Sequence, residues 1–360
     1  MDFISCFTTF SSFLIACGLA IVLQALFFSP ISPDILEFPP TSSSIHAPSS
    51  SMLQKVSKLG EGFVVKAEDV TIDNTGILYT ATRDGWIKRL HKNGSWENWK
   101  WIGGESLLGI TTAAAGGIIA CDAEKGLLEV TEDGVKVLAS QVNGVKIRFA
   151  DDVIEASDGN MYFSVASTKF DFHNWFLDVL EANPHGQLLR YNPALNQTSI
   201  ILDDLCFANG VALSPDQDYL IVCETWKFRC LKYWLNEEMR GQTEVFIDNL
   251  PGGPDNINLA PDGTFWIALI DLTPSRLKFV HGSKVLKHLV ATYPGLAKQV
   301  NGAYKKAKVA NVDRDGKIIK IFDDPTGNIM SFVTSALEFE GHLYLGSLNC
   351  DFIGKLPLGI

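Results

Sequence analysis

The chain's 360 residues, 46% hydrophobic and 20% charged, have the profile of a folded protein with a large core, which excludes a disordered or collagen-like chain. Lys and Arg number 30 against 41 Asp and Glu, a formal charge of -11, so the basic footprint that tracks a phosphate backbone is missing and no nucleic acid is expected as partner. The acidic balance suits plain solubility and equally suits a protein that holds a divalent cation.

The first expected element is a membrane segment. Phe13 to Phe28 is apolar apart from Gly18 and Gln24, and Phe3, Ile4, Cys6, Phe7 and Phe10 extend it toward the start. Asp2 is the sole early charge and no small-x-small cleavage site follows, so residues 1–29 read as an uncleaved signal anchor, with a signal peptide as the alternative. Pro30, Pro33, Pro39 and Pro40, then the Ser-rich run Ser42–Ser51, predict an extended stem over 30–51 that lies outside the fold.

From residue 52 to 360 one pattern recurs six times: a polar start, an alternating strand, a Gly/Asp turn and a second strand. The copies are Glu68–Arg83, Leu108–Glu124, Asp151–Ser167, Asn209–Thr225, Asp255–Asp271 and Val333–Asn349, most of them followed by a further strand such as Trp86–Leu90 or Cys230–Trp234. Units of about 50 residues with few long helical patterns predict an all-β fold, a six-bladed β-propeller over 52–360. Thr168–Pro184 is expected to be a helical insertion, with His173 a candidate for the channel mouth. The short chain left after the last copy calls for a closing strand from residues near Lys55–Val65. Asn93 and Asn196 begin acceptor sequons, which suits the secretory route. Cys223 and Cys230 flank a short turn and are the candidate disulfide, with buried free thiols as the alternative.

In a propeller the first strand of each blade starts at the central channel, so residues at equivalent repeat positions form a physical ring. Counting eight residues back from each turn gives Glu68, Leu108 or Gly109, Asp151, Asn209, Asp255 and Val333, and Asn256 adjoins Asp255. Three carboxylates forced together at one end of a channel repel, and a hard divalent cation resolves the repulsion. All-oxygen ligation favours Ca²⁺ over Zn²⁺. Asp69 and Asp152, one position on, are candidates to orient a water or to support the ring. No GxSxG, HExxH, GxxxxGK[ST] or GxGxxG motif is present, and no His occupies a ring position, so the catalytic residue is unassigned.

The residues Glu68–Asp69, the segment 149–152 (FADD), 207–216 (FANGVALSPD), 223–234 (CETWKFRCLKYW) and 250–257 (LPGGPDNI) together resemble the plant strictosidine-synthase-like family. Their ring is similar to that of calcium-dependent paraoxonases and gluconolactonases, six-bladed propellers that hydrolyse esters and lactones. The resemblance implies calcium ligands at Glu68, Asp151, Asn209, Asp255 and Asn256, with Asp151 standing where those relatives usually have Asn. The glutamate that takes the proton in the Pictet–Spengler condensation of strictosidine synthase falls on Thr334, its nearby histidine on Phe332 and a pocket tyrosine on Phe170. The base histidine of the paraoxonases falls on Leu108. The expected function is therefore a Ca²⁺-dependent hydrolase of a small-molecule lactone or ester, set in the endoplasmic reticulum membrane or lumen, the vacuole or outside the cell. The alternatives are an amine–aldehyde condensing enzyme and a non-catalytic binding propeller with structural calcium. Membrane contact is expected only through the N-terminal segment, if it is uncleaved.

Overall fold

The computed structural model describes residues 3–39, 49–271, 275–300 and 306–359, the side chains of 3–9, 275–277 and 297–299 excepted. Among the described residues six sheets of four or five strands succeed one another along the chain, with a two-stranded ribbon, Gln141–Val142 against Val145–Lys146, between the second and the third. Blade 1 pairs Asp69–Ile72, Leu78–Ala81, Trp86–Leu90 and Trp96–Trp101 in sequence order; blades 2 to 6 repeat the meander over 107–139, 150–205, 208–247, 253–324 and 333–357. Blade 6 supplies three strands of its own, and Ser57–Leu59 pairs with Ile353–Pro357 as the fourth. This join of the two ends of the propeller covers an edge that would otherwise stand open.

Each blade is covered by a neighbour on both faces, which explains why the second strands read as apolar runs. Ile118–Asp122, Met161–Val165, Tyr219–Glu224 and Phe265–Ile270 are buried at every residue. Phe163, Phe265 and Trp266 are wholly out of solvent, and truncating any of them to Ala costs roughly 3–5 kcal/mol. The turn that punctuates the repeat has its own mechanism. In blade 1 the Asp73 carboxylate accepts the backbone N–H groups of Thr75 and Ile77, and Gly76 takes φ +83°, where a Cβ would be strained.

The chain divides into two compact units. The propeller comprises Phe38–Trp175, Pro184–Leu272 and Tyr304–Ile360; the other unit, Met1–Glu37, Phe176–Asn183 and Thr273–Ala303, is helical. The helices are α1 (Phe3–Phe28), α2 (Trp175–Glu181), α3 (Ser275–His281), α4 (Lys284–Thr292) and α5 (Pro294–Val300). The last three interrupt blade 5 and have no counterpart in the sequence expectation, because each is too short for its 3.6-residue period to stand out.

The stem needs correcting at both of its described ends. Ser49–Ser50 pairs parallel with Ile321 and Phe322 on the outer strand of blade 5, and Ser49 Oγ donates to Asp323, so these residues belong to the propeller. Ile31 and Leu36 are buried within the helical unit. Prolines stop a helix but do not prevent packing; the Ser-rich run from 42 to 48 lies outside the described residues.

Asp324, wholly buried, organises the approach to blade 6. Its carboxylate accepts N–H groups from Thr326, Gly327, Ile329 and Met330, the Thr326 hydroxyl and the Gln54 amide. These donors outweigh burial and hold its carboxyl well below the usual carboxylate range. A depressed pKa contributes stability that is present above the unfolded value, about 3.9, and is lost as pH falls through the folded one. Asp324→Asn is therefore expected to lower urea stability at pH 7 by about 2 kcal/mol. The gap to wild type should narrow when the same titration is run near pH 3; a gap independent of pH would contradict the assignment.

Candidate metal centre in the propeller channel

Five of the six innermost strands share an irregularity. Their pairing register slips between Leu107 and Ile110, Ala150 and Val153, Ala208 and Val211, Pro254 and Ile257, and Val333 and Ser335. A bulge frees the residues within it from the ladder and re-aims their side chains. Those released are Leu108 and Gly109, Asp151 and Asp152, Asn209 and Gly210, Asp255 and Asn256, and Thr334. In blade 1, Glu68 precedes the strand Asp69–Ile72 and donates its N–H to Ala81 O at 3.1 Å. Glu68, Leu108, Asp151, Asn209 and Asp255 consequently line one cavity of about 120 Å³. In blade 6 the count from the turn selects Val333, yet Val333 pairs with Ser347 and joins the core. The bulge adds a residue that a count cannot see, and the released residue is Thr334.

All five residues expected to bind the cation are buried. Four of their oxygens, Glu68 Oε2, Asp151 Oδ2, Asn209 Oδ1 and Asn256 Oδ1, have no hydrogen-bond partner. Each such orphan costs roughly 1–3 kcal/mol, and four unpartnered oxygens on residues of the inner strands have the chemistry of a donor set for a hard cation. The amide nitrogens are engaged: Asn256 Nδ2 donates to Glu68 Oε1 at 3.1 Å and Asn209 Nδ2 to Thr225 Oγ1 at 3.3 Å. Each amide is thereby oriented with its oxygen left over.

Burial pushes the Glu68 carboxyl well above the usual range, and the charges of Asp69, Asp255 and Asp151 push the same way. Asp151 and Asp255 are raised first by burial, then by Asp152 and Asp151 respectively, while Arg83 opposes the shift at all three. A hard cation at the centre would reverse that balance, and a donor set of oxygen alone fits Ca²⁺. Among the described residues no three His, Cys, Asp or Glu side chains gather closely enough to hold an ion unaided. A site built on Glu68, Asp151 and Asp255 would need the amide oxygens of Asn209 and Asn256 as well.

Asp69 and Asp152 are spent on another task. Asp69 accepts the N–H of Val70, the hydroxyl of Ser335 in blade 6 and, at 2.8 Å, the N–H of Ile110 in blade 2. Asp152 accepts the N–H of Val153 at 2.7 Å and of Val211 in blade 4 at 2.8 Å. Neither lines the cavity; they stitch adjacent inner strands together, which removes them as candidates to orient a water. Glycine makes the approach possible: a Cβ at Gly109 would stand 2.5 Å from Asp152 Oδ1, and one at Gly210 2.5 Å from Asp255 O.

Aromatic side chains wall the cavity. Phe149, Phe207 and Phe332 each stand two residues before a bulge position and all three line it. Ring centres are 5.6 Å apart for Phe149–Phe172, 5.5 Å for Phe149–Phe207 and 4.5 Å for Phe207–Trp226. Phe207 and Phe332 take φ +62° and +47°, a conformation costing on the order of 1–3 kcal/mol that the surrounding fold sustains. The 168–184 insertion does line the mouth, through Phe172 and Trp175, whereas His173 is exposed beside Glu124. Arg83 is the single cation among the lining residues; its guanidinium lies 4.3 Å from the Phe172 ring centre and donates to Glu105 O at 2.6 Å.

The positions onto which the resemblance would place catalytic or pocket groups, Leu108, Phe170, Phe332 and Thr334, are apolar or turned away. Leu108 and Phe332 line the cavity, Phe170 packs on His185, and the buried Thr334 hydroxyl donates to Glu68 O at 2.6 Å. Elsewhere, Cys223 and Cys230 face each other across paired strands and are bonded. Asn93 and Asn196 are exposed at strand-connecting turns.

The family model described as strictosidine synthase matches residues 151–238, and that described as strictosidine synthase-like, N-terminal, matches 51–90. Protein STRICTOSIDINE SYNTHASE-LIKE 4 of Arabidopsis thaliana is 35% identical, over 97% of this chain and 95% of that protein. The adipocyte plasma membrane-associated protein of Mus musculus is 31% identical, over 96% and 89%. Among solved structures, a gluconolactonase from Xanthomonas campestris aligns with TM-score 0.61 and 15% identity over 92% of this chain and 98% of that one. A calcium-binding regucalcin from Agrobacterium tumefaciens aligns with TM-score 0.53 and 13% identity over 83% and 90%. At such identities the two structures speak for the fold alone.

Proposed function

The chain belongs to the strictosidine-synthase-like family, and from that premise we propose that it is a Ca²⁺-dependent hydrolase of a small lactone or ester rather than a strictosidine-forming enzyme. The observation that carries this reading is the group of unpartnered buried oxygens on Glu68, Asp151 and Asn209, which line an aromatic-walled cavity, and on Asn256, hydrogen-bonded to Glu68. Those four residues and Asp255 would hold the ion. When bound, calcium supplies a Lewis acid that polarises the substrate carbonyl and steadies the developing oxyanion. Phe149, Phe172 and Phe207 receive the apolar body of the substrate and exclude bulk water, and Arg83 adds positive charge beside them. No lining residue among those described is Ser, Cys, Lys or His, so water is the nucleophile and proton acceptance falls to a ring carboxylate such as Asp151. About 120 Å³ is small beside the roughly 300–1,000 Å³ of drug-sized pockets, which points to a compact substrate.

The gluconolactonase and regucalcin names of the structural neighbours support lactone chemistry and calcium respectively. The apolar α1, the exposed sequons at Asn93 and Asn196, and the membrane-associated name of the mouse relative support a secretory-pathway or membrane location, with glycans on those two residues. The test is turnover of a lactone and aryl-ester panel by chelator-stripped and calcium-reloaded protein. Turnover on reloading that falls by about 100-fold or more in Asn209→Ala is expected. Equal, negligible turnover in both states would overturn the hydrolase, and calcium-dependent melting without turnover would establish a binding propeller with a structural ion.

A further inference from the structure

The helical unit carries a charge pattern unlike the rest of the chain. Between Ser275 and Val300 stand Arg276, Lys278, Lys284, Lys287 and Lys298 and no Asp or Glu, in a protein of formal charge -11. Lys278 and Lys284 are exposed, Phe279 beside them is 72% exposed, and Val285 and Leu296 are exposed too. Cations interleaved with bare apolar side chains on short helices suit the headgroup layer of a bilayer, where ammonium groups meet phosphates and apolar groups enter the acyl boundary.

Contacts within the unit identify which surface this is. Residues Phe10–Phe28 of α1 are long and apolar enough to cross a membrane. α4 packs on α1 near the end of that span: Thr292 Oγ1 donates to Ala25 O at 3.4 Å, and the Tyr293 hydroxyl donates to Gln24 Oε1 at 3.5 Å. Gln24 is one turn from Phe28, about 6 Å along the axis. The chain that follows stays in the same folded unit, since Asp34 N–H donates to Glu181 O at 2.8 Å and the Lys287 ammonium donates to Asp34 O. α1 is thus built into the unit, and α4 stands at the level where a span would leave the bilayer. Of the unit's described acids, Asp178 and Glu181 are buried, Asp34 pairs with Lys284 at 3.0 Å and Glu37 is exposed, and none of the four stands on α3–α5, where the charged residues are all basic.

We propose that α1 is a retained anchor and that α3–α5 form a platform resting on the anionic headgroups of the same bilayer. The test uses the full chain in lipid nanodiscs, with a fluorophore on Phe279→Cys and quencher lipids carrying a headgroup nitroxide. The propeller cysteines Cys121, Cys206 and Cys350 are buried and compete little for label, and every labelled protein carries Cys6→Ser and Cys17→Ser in α1. Quenching is expected in discs containing phosphatidylserine, weaker in pure phosphatidylcholine, and abolished near 1 M salt, where the Debye length is about 3 Å. Lys278→Gln/Lys284→Gln should lower occupancy of the quenched state by about 25-fold, fivefold for each cation. The same label at Val137→Cys on the propeller reads non-specific adsorption. Absence of quenching in both discs would overturn the platform, including the case of blue-shifted emission that signals cover by a second copy or a protein partner. Quenching indifferent to salt and to the double substitution would overturn the headgroup assignment.

Discussion

Stripping calcium from the wild-type protein is expected to lower its melting temperature by on the order of 8 °C, and Asp255→Asn is expected to melt above wild type without calcium and below it with calcium. An ion held at a thousand times its Kd stabilises the folded state by about 4 kcal/mol, and a domain of this size shifts by about 2 °C per kcal/mol. In the stripped wild type, Glu68, Asp151 and Asp255 line one cavity, each buried and pushed toward its neutral form by burial and by its neighbours. Replacing one carboxylate by an amide of the same shape relieves that conflict, so stripped Asp255→Asn should melt above stripped wild type. With calcium the order reverses, because the variant has lost a charged ligand while wild type gains the full binding energy. Differential scanning calorimetry of both proteins, with chelator and with millimolar calcium, reads the crossing directly. Parallel shifts, or none, would mean that the ring is a set of strand starts and not a cation site.

The propeller was legible in the sequence because its repeat is local: a tight turn with a positive-φ residue, Gly in five blades and Gln217 in blade 4, recurs at a fixed distance from each inner strand. The same distance brought Glu68, Asp151, Asn209 and Asp255 to one list, and they do share a cavity. Legibility fails where a residue's role is set by a partner far along the chain. Asp69 and Asp152 look like further ring members, but their acceptors are filled by N–H groups of the next blades, Ile110 and Val211. Thr334 replaced Val333 because a bulge shifts register without altering composition. The aromatic wall did leave a trace, a Phe two residues before the bulge in blades 3, 4 and 6. Arg83 left none: it follows the second strand of blade 1, and no cation recurs at that place in the other copies.

Restoring a glutamate at position 334 is expected to cost more than about 4 kcal/mol and to produce no condensation of tryptamine with secologanin, whereas Thr334→Val should cost only about 1 kcal/mol. The argument rests on where the inner-strand bulge of blade 6 aims this residue. Thr334 is fully buried, its hydroxyl is bonded to the backbone oxygen of Glu68, and it does not line the cavity. A carboxylate there would lose its hydration among Glu68, Asp69 and the other ring acids. Arg83, the lining cation, is already drawn to Glu68, Asp151 and Asp255. A buried charge without a partner either unfolds the site or takes up a proton, and a protonated acid is no base. The missing glutamate is therefore a feature of the surrounding bulge and not a single-residue lesion that one substitution can repair. Chemical denaturation of the two variants, with mass spectrometry of the reaction mixture, decides the matter. A Thr334→Glu protein as stable as wild type that released the condensation product would show that the residue reaches the substrate after all.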